Sequence, residues 1–432
     1  MSILLPVIYF SIFVYAIYKV PFFKTSGISF NVLLGIFIVK LLASLSLYWV
    51  YSVFYPVRVE ADLFKYFDDA KILFSTLDSS FTDYFRIIFG SVENNGDLIK
   101  YYEQTDFWYK QVDYGLFNDN RTVIRINALL MLFSFGNIFV HSVFACFLSL
   151  FSYVLIYKTV SVTNTRTNKL LIISIFLIPS TLFWTSSILK ELVVMLGVSF
   201  LFYSVHKIAY SGFNCRRGLM FAIAMFILFS IKVYSIIAFL PAVIVYFITA
   251  KKDFTPYKSY GIAFLICVAL LILNETVLRI APFLERLAFK RNDFINCYSS
   301  ANSYLPIGFI DKDLLSFIKD TPQALFRAIF LPLPWNIKSA IQLLPLLENL
   351  LLFVLIILTI FYRKRVSREQ QNFIYFTLFV SFILFWIIGV STPVVGAIVR
   401  YKMPVFPFLY SIFVLLIDWE KLFQKKKDKW KI

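Results

Sequence analysis

The run PSTLFWTSSILKE, residues 179–191, places Lys190 and Glu191 where one apolar stretch ends and the next begins. Further cations stand at similar boundaries: Lys232 in SIKVYS, Arg400 beside Tyr401 and Lys402 in GAIVRYKMPVFP, and Arg327 in PQALFRAIFLPLPWN. Ionisable groups at the edge of an apolar segment are expensive to keep and point to function. Several Arg and Lys groups at a membrane face suit a lipid-borne phosphate or pyrophosphate, whose charge they offset as it departs. Arg400 leads this set, because a planar guanidinium holds a phosphate through two parallel hydrogen bonds. Lys190 and Glu191 also have a purely local reading, in which the lysine snorkels and the glutamate favours a helix N-terminus.

The carboxylates supply the complementary chemistry. Moving a sugar onto a hydroxyl needs a group that takes the acceptor proton, while a phosphate leaves unprotonated if cations stabilise it. In VRVEADLFKYFDDAKILFS, Asp62, Lys65, Tyr66 and Asp69 recur at i, i+3, i+4 and i+7, one face of a short amphipathic helix. Asp62 is the candidate base, and Asp69 and Glu191 are further catalytic candidates; a solvated helix face is the plainer alternative. Tyr66, Trp184, Tyr234, Trp335 and Tyr401 are aromatics placed to position a substrate. Cys146, Cys215, Cys267 and Cys297 form no CxxC pattern, and His141 and His206 are isolated, which argues against a disulfide framework or a Cys/His metal site.

The elements that must position these groups are membrane spans. The chain has 432 residues, 60% hydrophobic and only 16% charged, where a soluble domain carries about 25%. Apolar blocks of about 20 residues alternate with short polar turns, the pattern of an all-α polytopic membrane protein. Eleven spans are expected near 3–20, 28–52, 136–157, 169–184, 188–208, 217–231, 234–250, 257–275, 342–361, 371–390 and 401–418. The segment 121–135, RTVIRINALLMLFSF, is short for a span and carries Arg121 and Arg125 one turn apart. It reads as an interfacial helix, with a short span as the alternative. The N-terminal stretch lacks a basic region and an Ala-x-Ala site and reads as a retained first span.

The net charge of +17 is a topology marker in such a chain and calls for no nucleic acid. With 121–135 left out of the spans, the short turns carrying Lys19, Lys24, Lys158, Arg166, Lys207, Arg217, Lys251 and Arg363–Arg368 all fall on one side with the C-terminus. That side is the cytoplasm by the positive-inside rule, and the N-terminus is outside. The basic tail, 419–432, then rests beside an anionic leaflet. Two large connections of this single integral membrane domain, 53–135 with amphipathic helices and 276–341, are expected to carry interfacial helices and to face the other side, the periplasm, where long loops usually carry function.

Four stretches resemble the bacterial polytopic proteins of surface-polysaccharide assembly, the GT-C-class glycosyltransferases and the O-antigen and capsule polymerases. They are ADLFKYFDDAKIL, PSTLFWTSSILKE, FLPLPWNIKSAIQLLPLLENLLL and GAIVRYKMPVFPFL, spread over residues 60 to 410. The resemblance implies a GT-C-like fold in the inner membrane that uses a polyprenyl-linked glycan donor at the periplasmic face, with a glycan or lipid-linked acceptor. Other polysaccharide-assembly proteins are implied as partners. Asp62 matches the outer-loop acid of such enzymes, and Lys190, Glu191, Arg400 and Tyr401 match the quoted runs. Two departures stand out: Ser391-Thr392-Pro393 replaces an Asn expected before Gly396, and Asp68 and Asp69 are adjacent rather than a spaced acidic pair. No cofactor is therefore assigned, and a divalent metal stays open. A polymerase is the first reading, transfer of one sugar from polyprenyl monophosphate the second, and a lipid-linked oligosaccharide flippase or exporter the third.

Overall fold

A computed structural model describes residues 3–55, 57–90, 96–109, 118–252, 254–337 and 342–423. Parts of the first large connection (91–95 and 110–117), of the second (338–341) and of the basic tail (424–432) lie outside the described residues. The described chain is all-α, with only two isolated β-bridges. Eight helices are long and apolar enough to cross a membrane: Phe30–Phe54, Ile138–Val160, Lys190–Ser211, Val233–Lys251, Pro256–Leu278, Leu343–Phe361, Arg368–Ser391 and Val395–Leu416. The protein is a polytopic membrane protein, and its partner is a lipid bilayer.

The other three expected spans hold shorter helices: Leu4–Lys19 with 16 residues, Thr165–Phe176 with 12 and Cys215–Ile231 with 17. The expected continuous span 169–184 breaks at Leu177-Ile178, because Pro179 disfavours helical backbone in the residue before it and opens a new short helix, Pro179–Trp184. The Arg121 segment lies in a helix, Asp119–Ser134, begun by Asn118, whose side chain accepts from the Asn120 amide.

The chain falls into two compact units. The first comprises Met1–Leu155, Leu182–Leu201 and Ala222–Val233; the second comprises Ile156–Thr181, Phe202–Phe221 and Tyr234–Ile432. In the first, helix Asp62–Phe74 packs on Asp119–Ser134. Leu63, Phe67, Ala70 and Leu73 are buried on one, Val123, Ile124, Ala128 and Met131 on the other. In the second, Leu314–Phe330 crosses Arg368–Ser391 at Gly389, where a Cβ would overlap the Ala324 carbonyl. Only glycine allows that approach. Leu284, Leu287, Phe317, Ile387 and Val390 fill the core around the crossing.

Candidate functional site

In the first unit three helices begin beside one aromatic ring. Asp62 is the first residue of Asp62–Phe74, Asp119 of Asp119–Ser134 and Lys190 of Lys190–Ser211. Lys65, one turn into its helix, pairs with Asp62 at 2.6 Å. Lys190 pairs with Asp119 at 2.6 Å and donates to Asn120 Oδ1 at 2.8 Å. The buried Tyr66 donates its hydroxyl to the same Asn120 oxygen at 3.3 Å. Both ammonium groups lie against the Tyr66 ring, Lys65 at 5.3 Å and Lys190 at 5.5 Å from its centroid. Lys65 also lies 4.8 Å from the centre of Phe107. The four charged side chains are 16–21% exposed, so the cluster is partly desolvated.

Helix N-termini present unsatisfied N–H groups and partial positive charge. Asp62 and Asp119 balance that charge here, alongside two lysines. Two ammonium groups beside helix N-termini are a combination suited to phosphate. Asp62 and Asp119 are the carboxylates of the cluster.

The remaining sequence candidates take other places. Asp69 is buried and accepts from the amides of Asp106 and Phe107 at 3.0 and 2.9 Å. It fixes the turn that sets Phe107 beneath Lys65; burial pushes its carboxyl up to about 6 despite those bonds. Lys190 and Glu191 turn apart: the buried Glu191 reaches Lys232 at 3.8 Å. Trp184 is half-buried, edge-on to Phe183 at 5.1 Å. Arg121, in the first turn of Asp119–Ser134, donates to the Trp108 carbonyl at 2.8 Å.

In the second unit, Tyr234 and Tyr401 flank Lys290, with ring centres at 5.0 and 5.4 Å. Arg400 is half-buried in the last turn of Val395–Lys402. Arg327 is committed: it holds Asp320 at 2.9 Å, as Arg291 does at 2.7 Å, and donates to the Gly389 carbonyl at 3.2 Å. That arrangement ties three helices at their crossing. Trp335 is 78% exposed on a 3-10 turn, Pro334–Asn336.

Sequence reasoning passed over the buried charges Glu348 and Lys40 and the polar Asn349, and it named Lys402 without its buried role. Glu348 accepts from the Ser180 amide and hydroxyl, each at 2.5 Å, which answers for the serine after Pro179. Lys402 donates to the Leu331 carbonyl at 3.1 Å, and Asn349 donates to Phe330 and Pro332 carbonyls at 2.9 and 3.3 Å. These side chains satisfy the backbone freed by the LPLP turn, as a membrane interior demands. Glu348-Asn349 inside LLPLLENLLL was the visible signal. In the first unit, Lys40 is fully buried within the span Phe30–Phe54 and donates to Ser149 at 2.7 Å. Ser149 meets Thr185 at 2.8 Å, Thr185 meets Tyr153 at 3.0 Å, and Ser44 meets Ser187 at 3.3 Å. Of the hydroxyls in the 179–191 run, Thr181 and Ser186 serve freed backbone carbonyls, whereas Thr185 and Ser187 face the Lys40 region.

Among the described residues no group of three or more His, Cys, Asp and Glu is arranged to hold a metal ion. No protein-family model, no curated protein and no solved structure matches the chain, so a function is argued from the geometry above.

Proposed function

We propose that this chain is a bacterial inner-membrane glycosyltransferase, a polymerase that moves a polyprenyl-pyrophosphate-linked glycan onto a second lipid-linked acceptor at the periplasmic face. The observation that carries this reading is the meeting of three helix N-termini, Lys65 and Lys190 around Tyr66, with Asp62 and Asp119 in the same cluster. The pyrophosphate takes the two ammonium groups and the helix N–H groups. Lys65 is thereby drawn from Asp62, whose carboxylate becomes free to accept a proton. The acceptor oxygen then forms a bond to the anomeric carbon as the bond from that carbon to the pyrophosphate breaks. The acceptor proton goes to Asp62, and polyprenyl pyrophosphate leaves as an anion with inversion at the carbon. Phe107 offers a face for a sugar ring. Lys232, beside Glu191 in the same unit, is a further proposed phosphate contact. Arg327 is left out of the reacting groups because Asp320 and Gly389 already occupy it.

A second reading, export of a lipid-linked oligosaccharide, is favoured by Lys40, since an ionisable group deep in a span marks transport pathways. Purified chain in lipid nanodiscs, supplied with a lipid-linked repeat unit and, separately, with a polyprenyl-monophosphate-linked sugar, separates these readings by product sizing. Products that grow by whole repeat units support the polymerase, and one added sugar supports the monophosphate-dependent transferase. Movement of the glycan between leaflets in liposomes, without any new bond, establishes the exporter.

A further inference from the structure

The nine-residue helix Phe81–Phe89 has two faces of opposite character. It begins at Ser80, whose hydroxyl accepts from the Asp83 amide at 3.1 Å. Tyr84, Ile87 and Ile88 are buried, and the Tyr84 hydroxyl donates to the Ala128 carbonyl at 2.7 Å. Arg125 closes the other end, donating to the Ile87 and Gly90 carbonyls at 2.9 and 2.7 Å. The helix is thus clamped to Asp119–Ser134, which fixes what its free face shows. That face carries Phe81, Phe85 and Phe89 at successive helical turns, with ring centres 4.6 and 6.1 Å apart. Phe81 is 69% and Phe89 71% exposed. The charges turn elsewhere: Arg86 is held by Asp83 at 3.2 Å and by Asp97 at 2.6 Å.

A single exposed phenylalanine is ordinary, but three on one stripe of a clamped helix form a patch that seeks an apolar partner. The partner is indicated by continuity. Helix Asp119–Ser134, which carries the clamp, leads into the membrane spans: the Tyr9 hydroxyl donates to the Phe133 carbonyl at 3.1 Å. The Phe133 ring packs on Phe144 of Ile138–Val160 at 6.1 Å. Phe133 and Phe135 are themselves exposed there. We propose that Phe81, Phe85 and Phe89 dip into the headgroup–acyl boundary of the bilayer, making Phe81–Phe89 an interfacial anchor. It holds the Asp62–Phe74 and Asp119–Ser134 pair against the leaflet, where the head of a lipid-borne substrate lies. The anchor does not depend on the reaction proposed for the cluster.

The test is a spin label at single cysteines in a background without the four native cysteines, with the full chain in nanodiscs of neutral lipid. F81C, F85C and F89C change exposed or half-exposed positions, and K100C, exposed and beside the polar flank, is the control. Labels at the three Phe positions should collide several-fold more with oxygen than with a water-soluble nickel complex, and the order should reverse at position 100. If F81C and F89C favour nickel as K100C does, the anchor is wrong. It is equally overturned if a soluble oligosaccharide, and not the bilayer, protects these positions, because the stripe would then be a glycan platform. A chain that fails with F85C leaves F81C and F89C to decide.

Discussion

Replacing Lys190 by alanine tests the cluster most directly, because stability and turnover should respond differently. Lys190 and Asp119 are 16% and 17% exposed at 2.6 Å, between an open surface pair and a fully buried one. Exposed pairs contribute about 0–1 kcal/mol, and breaking a buried pair costs about 3–5 kcal/mol. K190A should therefore destabilise the chain by about 1–3 kcal/mol, mostly because Asp119 loses its counter-charge. If the ammonium also binds the departing pyrophosphate, turnover should fall about a hundredfold or more beyond any loss of folded chain. The double variant K190A/D119N separates the two effects: it removes the stranded carboxylate and should recover much of the thermal midpoint without recovering turnover. Both are read on nanodisc samples, by thermal unfolding and by glycan product per folded chain. Full turnover in K190A, or turnover regained in K190A/D119N, would show that the ammonium serves only to neutralise Asp119.

Asp62→Asn keeps the shape of the side chain and removes the base, so glycan extension should be lost while the protein still accumulates in the membrane; normal extension removes Asp62 from the chemistry. Burial pushes Asp69 up to about 6, so its contribution to stability is present below the unfolded value near pH 4 and is lost as pH rises through about 6. The thermal midpoint of D69N, measured from about pH 4 to 7, should lack that step. Gly389→Ala forces a methyl into the Ala324 carbonyl and should cost about 3 kcal/mol or more, read as loss of folded, extractable chain; a normal midpoint would mean the helices part easily. Cysteines at Ser79 and Ser299, both exposed, should react with an impermeant maleimide in intact spheroplasts; reaction only after lysis would reverse the proposed sidedness.

Hydropathy made the membrane class legible, since eight of the expected spans carry helices of crossing length. The ends were harder. Thr165–Phe176 stops where Pro179 imposes extended backbone, a local signal that the surrounding Leu, Ile and Phe conceal in a hydropathy window. The helical face Asp62, Lys65, Tyr66 and Asp69 was readable from its spacing, and the Asp62–Lys65 pair and the inward Tyr66 follow from it. What spacing does not carry is the partner across the chain. Lys190 finds Asp119, 71 positions earlier, in preference to its neighbour Glu191. The Asp119 helix start hid within a stretch rich in carboxylates, and Glu348 hid among leucines.

The pairing of both lysines with aspartates has a consequence for how the cluster is used. Two ammonium groups and two carboxylates leave it close to neutral, apart from the partial charge of three helix ends. A cluster with bare lysines would hold any phosphate tightly and release it slowly. One that must exchange Asp62 and Asp119 for phosphate oxygens binds the ground state weakly. It gains most where charge builds on the leaving group, as the bond to the sugar breaks. In the proposed reaction the same exchange would release Asp62 only when the anion has arrived, so the base would become available once a donor is present. On this argument the carboxylates, which work against phosphate binding, would set the order of events in the proposed reaction.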